Sequence, residues 1–343
     1  MERNKKIDFI RAFAIISVVI GHCIQFGSGP EYYSGACLED TVFIFIYSFH
    51  MPLFMLLSGY LFYLSSCKHS FLENAATRFT TLFIPIIAWN IVPFIKYTYP
   101  DRPHTFRYLF KAYLSTMAAN SWFLWSLFYC SFAVLIVKQF FKDRIVIYLI
   151  GLILTFFITD SHNLSLYKFM YPYFIIGYFY HKRSAESGID CSSLVKNRKF
   201  SIIITAIFFS LLCFYNNSSY IYTTGYTLLG KDLIPQLGID IYRFIIGLLG
   251  CLFIIILLLN IYLHLNEKII GLFSVIGVNS LGIYMISGLI FQYLLPNLTR
   301  KVTGINYLLV LTESVIILLV SILISLGIKK CLITNFLFFG GRK

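Results

Sequence analysis

Charge is scarce in this sequence. Only 13% of its 343 residues are Asp, Glu, Lys or Arg, about half the share a soluble globular domain carries. Acidic residues are the scarcer sign, 15 against 28 Lys and Arg. No Walker A loop, no GxSxG and no zinc-ligand spacing is present, which removes the commonest nucleotide-hydrolysing, serine-hydrolase and zinc chemistries. The eight cysteines, at 23, 37, 67, 130, 191, 213, 251 and 331, include no CxxC and no paired spacing. Neither a disulfide framework nor a metal site is therefore expected. Internal repeats, low-complexity runs and long linkers are also absent, so residues 1–343 are expected to form a single domain. The longest loop on the basic side of the chain, 181–199, is too small for a soluble catalytic domain. Any chemistry has to be done by the apolar segments themselves.

Those segments dominate the chain. It is 58% hydrophobic and 18% aromatic, with a mean hydropathy of +0.78, the composition of a polytopic membrane protein. A net charge of +13 would suggest a nucleic-acid partner in a soluble protein. Here the basic residues occupy short loops between apolar runs, so topology accounts for them and no nucleic acid is expected. The first apolar run does not read as a cleavable signal, because Asp8 and Arg11 interrupt it and no small-x-small site follows closely.

Ten spans emerge at roughly 8–26, 41–64, 79–97, 121–140, 145–159, 169–180, 200–215, 241–262, 272–295 and 305–328. Each approaches the length needed to cross ~30 Å of hydrocarbon. The fifth to seventh are short, and Pro172 is expected to break the sixth. The expected fold is an all-α integral membrane protein of about ten transmembrane helices in one bundle. With the N-terminus inside, eighteen basic residues face the cytoplasm: Arg3, Lys5, Lys6, Lys68, Arg78, Lys138, Lys142, Arg144, Lys182, Arg183, Lys196, Arg198, Lys199, Lys268, Lys329, Lys330, Arg342 and Lys343. Nine face outward: Lys96, Arg102, Arg107, Lys111, Lys168, Lys231, Arg243, Arg300 and Lys301. The bias places both termini in the cytoplasm. Four of the outward charges cluster between 96 and 111, where Phe106, Leu109, Phe110, Tyr113, Leu114 and Met117 follow helical spacing. This reads as an amphipathic helix on the outer surface, either resting on lipid headgroups or docking an anionic lipid-linked glycan.

Polar residues inside such spans need a reason. The first span carries Asp8, Arg11 and His22. Eleven residues rise ~16.5 Å and complete three turns plus ~20°, so Arg11 and His22 share one face at different depths. Asp8, one turn before Arg11, is placed to orient it. The alternatives are a snorkelling anchor for Arg11 and an interhelical hydrogen bond for His22. The second span carries His50, two residues before Pro52, entering from the same outer side. Two intramembrane histidines could share a site, the neutral imidazole as a general base and the protonated one as a stabiliser of negative charge. Ser58-Gly59 suits close helix packing. Arg78, on the cytoplasmic edge, is either a positive-inside anchor or a phosphate ligand. Trp122 and Trp125 read as an interfacial aromatic belt, and Ser280 to Ser287 as packing contacts. Glu313 is the only acidic residue well inside a span, and nothing in the sequence explains it.

Asp8-Phe-Ile-Arg11 followed by Arg11-x10-His22 resembles the signature of membrane-bound acyltransferase family 3. Further landmarks stand in family order: His50-Met-Pro-Leu-Phe-Met-Leu-Leu-Ser-Gly-Tyr-Leu61, Arg78 with Pro85, Trp122-Phe-Leu124 and Leu281-Gly-Ile-Tyr284. Within that family it more closely resembles the sugar O-acetyltransferase branch, of the fucose O-acetylase and enterobacterial common antigen acetyltransferase type. Two positions depart: Thr81 stands where the family often has a second basic residue, and Ser287 where many members have a His.

The resemblance implies a multi-pass enzyme of the bacterial inner membrane. Acetyl-CoA from the cytoplasm would be the acyl donor, with no metal, and membrane lipids its surroundings. The acceptor would be a sugar of a cell-surface polysaccharide, such as an O-antigen or capsule, or its lipid-linked precursor. His22 would be the general base or a transient acyl carrier, with His50 assisting. Arg11, oriented by Asp8, would hold phosphate or polarise the thioester, and Arg78 would contact CoA. The rival reading is a transporter or flippase of a glycan-lipid or small molecule, in which the same residues bind cargo or relay protons. Against it, the sequence shows no repeated pair of broken spans.

Overall fold

The structure is a computed structural model that describes residues 4–98, 105–161, 163–188 and 197–341. Arg3, Arg102, Lys196, Arg342 and Lys343 of the charge count, and Cys191, lie outside the described residues. The principal helices are α1 (Lys5–Gly27), α2 (Thr41–Lys68), α3 (Phe71–Arg78), α4 (Ile84–Pro93), α5 (Phe106–Ala119), α6 (Trp122–Phe141), α7 (Ile145–Phe156), α8 (Leu164–Ser187), α9 (Arg198–Leu212), α10 (Leu233–Tyr262), α11 (Glu267–Val278), α12 (Ser280–Tyr293), α13 (Tyr307–Lys330) and α14 (Leu332–Phe339). No strand occurs among the described residues.

Among the described residues, seven helical segments are long and apolar enough to cross a membrane: Lys5–Gly27, Thr41–Lys68, Phe71–Lys96, Trp122–Phe141, Leu233–Tyr262, Ser280–Leu298 and Tyr307–Lys330. The fold is therefore an all-α membrane protein. All ten expected spans fall on helices, but α7 and α9, at 12 and 15 residues, rise only ~18 and ~22 Å.

Three boundaries differ from expectation. Helix α8 runs unbroken through Pro172, consistent with the high cost of unpaired backbone in an apolar setting, which favours a tolerated kink over a broken helix. The third run begins at Phe71, started by a capping box in which Ser70 and Glu73 bond each other's backbone N–H. It continues through π-helical turns at Phe79–Phe83 and Phe94–Thr98. The ninth run is two helices. Asn279 closes α11 with its Nδ2 on the Val275 carbonyl (2.8 Å), and its own carbonyl accepts from Ile283 N (2.9 Å) to open α12.

The chain divides into two compact units. The first comprises residues 1–57, 182–223 and 238–326. Helix α1 begins at Asn4, whose side chain accepts from the N–H groups of Lys6 and Ile7. Its packing depends on absent side chains. A Cβ on Gly277 of α11 would stand 2.1 Å from the Asp8 carbonyl oxygen, and one on Gly21 would stand 2.9 Å from the Tyr47 ring. Such approaches draw α11 and α2 onto α1 and bury Ala12, Ala14, Ile15 and Val19 completely. Arg243 is a buried structural clamp. It pairs with Asp240 (2.7 Å) and donates to the carbonyls of Ser218, Ser219 and Tyr220.

The second unit comprises residues 58–181, 224–237 and 327–343. Gly59 lies against the Phe174 carbonyl, where a Cβ would stand at 2.0 Å, the close packing its sequence context suggested. Lys168 is buried in an ion pair with Asp160 (2.6 Å), and the other Asp160 oxygen accepts from Tyr226 N (2.7 Å). Helix α14 folds onto α4, its Phe338 carbonyl accepting from Trp89 Nε1 (2.9 Å). The inner side of α5 is anchored by its Tyr113, which donates to the Ile87 carbonyl, and by its Met117 carbonyl, which accepts from Trp125 Nε1 of α6. Phe106 and Phe110 stay 84% and 55% exposed, an outward stripe suited to a lipid interface.

Gly277→Val should force α11 away from Asp8. We expect a loss of roughly 2 kcal/mol from overpacking against backbone that has nowhere to go, seen as a lowered midpoint of thermal unfolding in detergent. An unchanged midpoint would contradict this packing.

Candidate active site

Asp8, Arg11, His22 and His50 all belong to the first unit. Arg11 sits where the ninth run breaks. Its Nη2 donates to Ser280 Oγ at 2.8 Å, the first residue of α12, and one turn earlier Asp8 Oδ2 accepts from Ser274 Oγ of α11 at 3.3 Å. The close approach at Gly277 makes both contacts reachable. Asn279 is buried and accepts from Ser325 Oγ of α13 at 3.4 Å, so the junction is held from a third side. The start of α12 carries the positive end of its helix dipole, and the guanidinium adds a full charge beside it. Together they favour a negative group such as a phosphate or a polarised carbonyl oxygen. Asp8 supplies one carboxylate at this crossing, and a guanidinium has five donors to place.

At the other end of α1, His22 is half-buried and its ring packs beside Phe26 (5.9 Å) and Phe291 of α12 (5.1 Å), both nearly parallel to it and 6.2 Å from each other. His50 on α2 is buried. Tyr47 stands beside both histidines, with ring centroids 4.6 Å from His50 and 6.2 Å from His22. Its hydroxyl donates to Gln25 Oε1 at 3.3 Å.

The two imidazoles share a decisive feature. His22 Nδ1 lies 2.8 Å from the Val18 carbonyl, and His50 Nδ1 lies 2.8 Å from the Ile46 carbonyl. A carbonyl oxygen only accepts, so each Nδ1 carries the proton. In the neutral ring Nε2 then holds the lone pair. Both histidines are thus set as bases at Nε2, with ring orientation fixed by their own helix.

Arg78 belongs to the second unit. Its Nη2 donates to Ser65 Oγ (3.3 Å) and its guanidinium lies over the Phe62 ring at 4.8 Å. Its Nε is buried with no hydrogen-bond partner among the described residues, an unmet donor suited to an anion. Thr81 Oγ1 is turned back onto the Thr77 carbonyl at 2.7 Å, and Ser287 is buried with its hydroxyl on the Tyr284 carbonyl at 3.3 Å. Both departures from the family pattern are engaged locally.

Sequence reasoning missed Tyr47, Ser274, Ser280 and Phe291 as neighbours of these groups. Asn279-Ser280 after Gly277 is a legible stop-and-start signal. Tyr47, three residues before His50, is on the same helix face. Nothing local marks Phe291 or Ser274.

The acyltransferase family 3 model, described as an acyltransferase domain, matches residues 4–330. The chain belongs to that family. It is 29% identical over 185 residues to the nodulation protein NolL of Mesorhizobium japonicum, covering 52% of this chain and 48% of that protein. It is 34% identical over 90 residues to NolL of Sinorhizobium fredii, covering 25% of this chain and 23% of that one. The matched regions thus span about half or less of these relatives. No solved structure matches.

Ser280→Ala removes a hydrogen bond to a charged group, a contact worth about 1.5–3 kcal/mol. We expect acyl transfer to fall about tenfold with the protein still folded. Wild-type rates in this variant would show that Ser280 does not hold Arg11 for function.

Proposed function

We propose that this protein moves an acetyl group from cytoplasmic acetyl-CoA to a sugar hydroxyl of a cell-surface polysaccharide or its lipid-linked precursor, in the bacterial inner membrane. The single observation that carries the reading is the arrangement of α1. One end holds a guanidinium at the start of another helix, and the other holds an imidazole with its basic nitrogen defined.

Acetyl-CoA supplies the acyl group as a thioester. Two features fit its anionic parts: Arg11 at the α12 N-terminus, and the unmet Nε of Arg78 in its own unit. Arg11 binds a phosphate of the donor, and Asp8 limits its rotation. His22 Nε2 takes the proton from the acceptor hydroxyl as the new C–O ester bond forms and the C–S bond breaks, and returns that proton to the departing sulfur. Tyr47 and the Val18 carbonyl keep the His22 ring oriented, while His50, against the same tyrosine, supplies a second imidazole for hydrogen bonding.

The test is incorporation of label from radioactive acetyl-CoA into glycan by membranes containing the protein, with alkali-labile acetyl groups identified by mass spectrometry. The expected result is incorporation by the wild type and a fall of at least about a hundredfold in His22→Ala, the lower end of what general-base catalysis contributes. Transport of a glycan lipid without ester formation would overturn the reading.

A further inference from the structure

The chemistry above leaves Glu313 of α13 unused, and its position is unusual. Its Oε2 is buried with no hydrogen-bond partner among the described residues. It occupies the space over Gly27, where a Cβ would stand only 2.1 Å from it. Gly27 closes the turn of α1 that follows His22, so the carboxylate rests on the His22 end of that helix. The next residue, Ser28, is also buried, and its Oγ likewise has no partner among the described residues.

Neighbouring polar groups are satisfied. The Phe26 carbonyl accepts from Thr299 Oγ1 at 2.9 Å. Asp40 accepts from Phe43 N at 2.9 Å and from the Tyr307 hydroxyl at 2.8 Å. The unmet Glu313 oxygen over Gly27 and the unmet hydroxyl of the next residue, Ser28, are therefore not a symptom of loose packing. Buried polar atoms without partners are rare and ask for an explanation. A carboxylate accepts hydrogen bonds and repels phosphate, whereas a serine hydroxyl both donates and accepts. The group that satisfies both is an uncharged one bearing several hydroxyls. Glu313 as a whole is half-buried, while the unmet oxygen itself faces inward.

We propose that Glu313 and Ser28 bind hydroxyl groups of the acceptor sugar, and so hold the acceptor at the end of α1 that carries His22. The proposal rests on the acyl-transfer reading and adds to it an acceptor-binding site of uncharged, polyhydroxylated chemistry.

The experiment uses membrane vesicles from the encoding strain, which carry the natural acceptor, and radioactive acetyl-CoA. Label entering glycan, acceptor-independent hydrolysis of acetyl-CoA and thermal stability are measured for wild type, Glu313→Gln, Ser28→Ala and His22→Ala. In Glu313→Gln and Ser28→Ala, transfer into glycan should fall about tenfold or more, as when a site built for a substrate hydroxyl loses its partner. Hydrolysis should be unchanged, and stability unchanged or raised, because no internal bond is lost. Undiminished transfer, or a loss of transfer that tracks lost stability or lost hydrolysis, would overturn the proposal. Transfer at the wild-type rate by His22→Ala, with Glu313→Gln impaired, would remove the base assignment and leave the acceptor site standing. No transfer by the wild type would remove both.

Discussion

A guanidinium within an apolar helix is tolerable only where its donors are met, and Arg11 imposes that requirement on the first unit. The answer is a helix junction. Helix α11 ends and α12 begins beside α1, so that Ser280 accepts from Arg11 and Ser274 bonds Asp8. The junction can come this close only because residue 277 has no Cβ to strike the Asp8 backbone. A charged residue at one end of α1 thus dictates a glycine and a discontinuity in helices more than 260 positions away in sequence.

The same helix solves a different problem at its far end. An imidazole serves as a base only if the right nitrogen is free, and the Val18 carbonyl settles that for His22 from four residues earlier. The aromatic rings of Phe26, Phe291 and Tyr47 then limit how the ring can turn. Position and tautomer follow from the helix rather than from a dedicated partner. A broken helix is a device that transporters also use, but membership in the acyltransferase family gives this one a different context.

Much of this was legible beforehand, and the residues show why. Apolar runs of bilayer length locate helices directly, and the spacing of eleven between Arg11 and His22 places them on one face by geometry alone. What stayed hidden depends on distant partners. Glycine 277 looks like any small residue until Asp8 is beside it. Pro172 carries a local breaker signal that the surrounding helix overrides. Arg243 counts as a loop charge in sequence, yet it is buried with three carbonyls and Asp240 around it. Glu313 was visible as an anomaly, and only the structure shows which helix it rests on.

The proposed division of labour along α1 puts donor binding at Arg11 and proton transfer at His22. Equilibrium binding of radioactive acetyl-CoA to the purified Arg11→Ala and His22→Ala proteins tests it most directly. Arg11→Ala should lose affinity by about tenfold or more, the effect of removing a charged hydrogen bond, while His22→Ala should bind like the wild type. Normal binding by Arg11→Ala, or lost binding by His22→Ala, would contradict it.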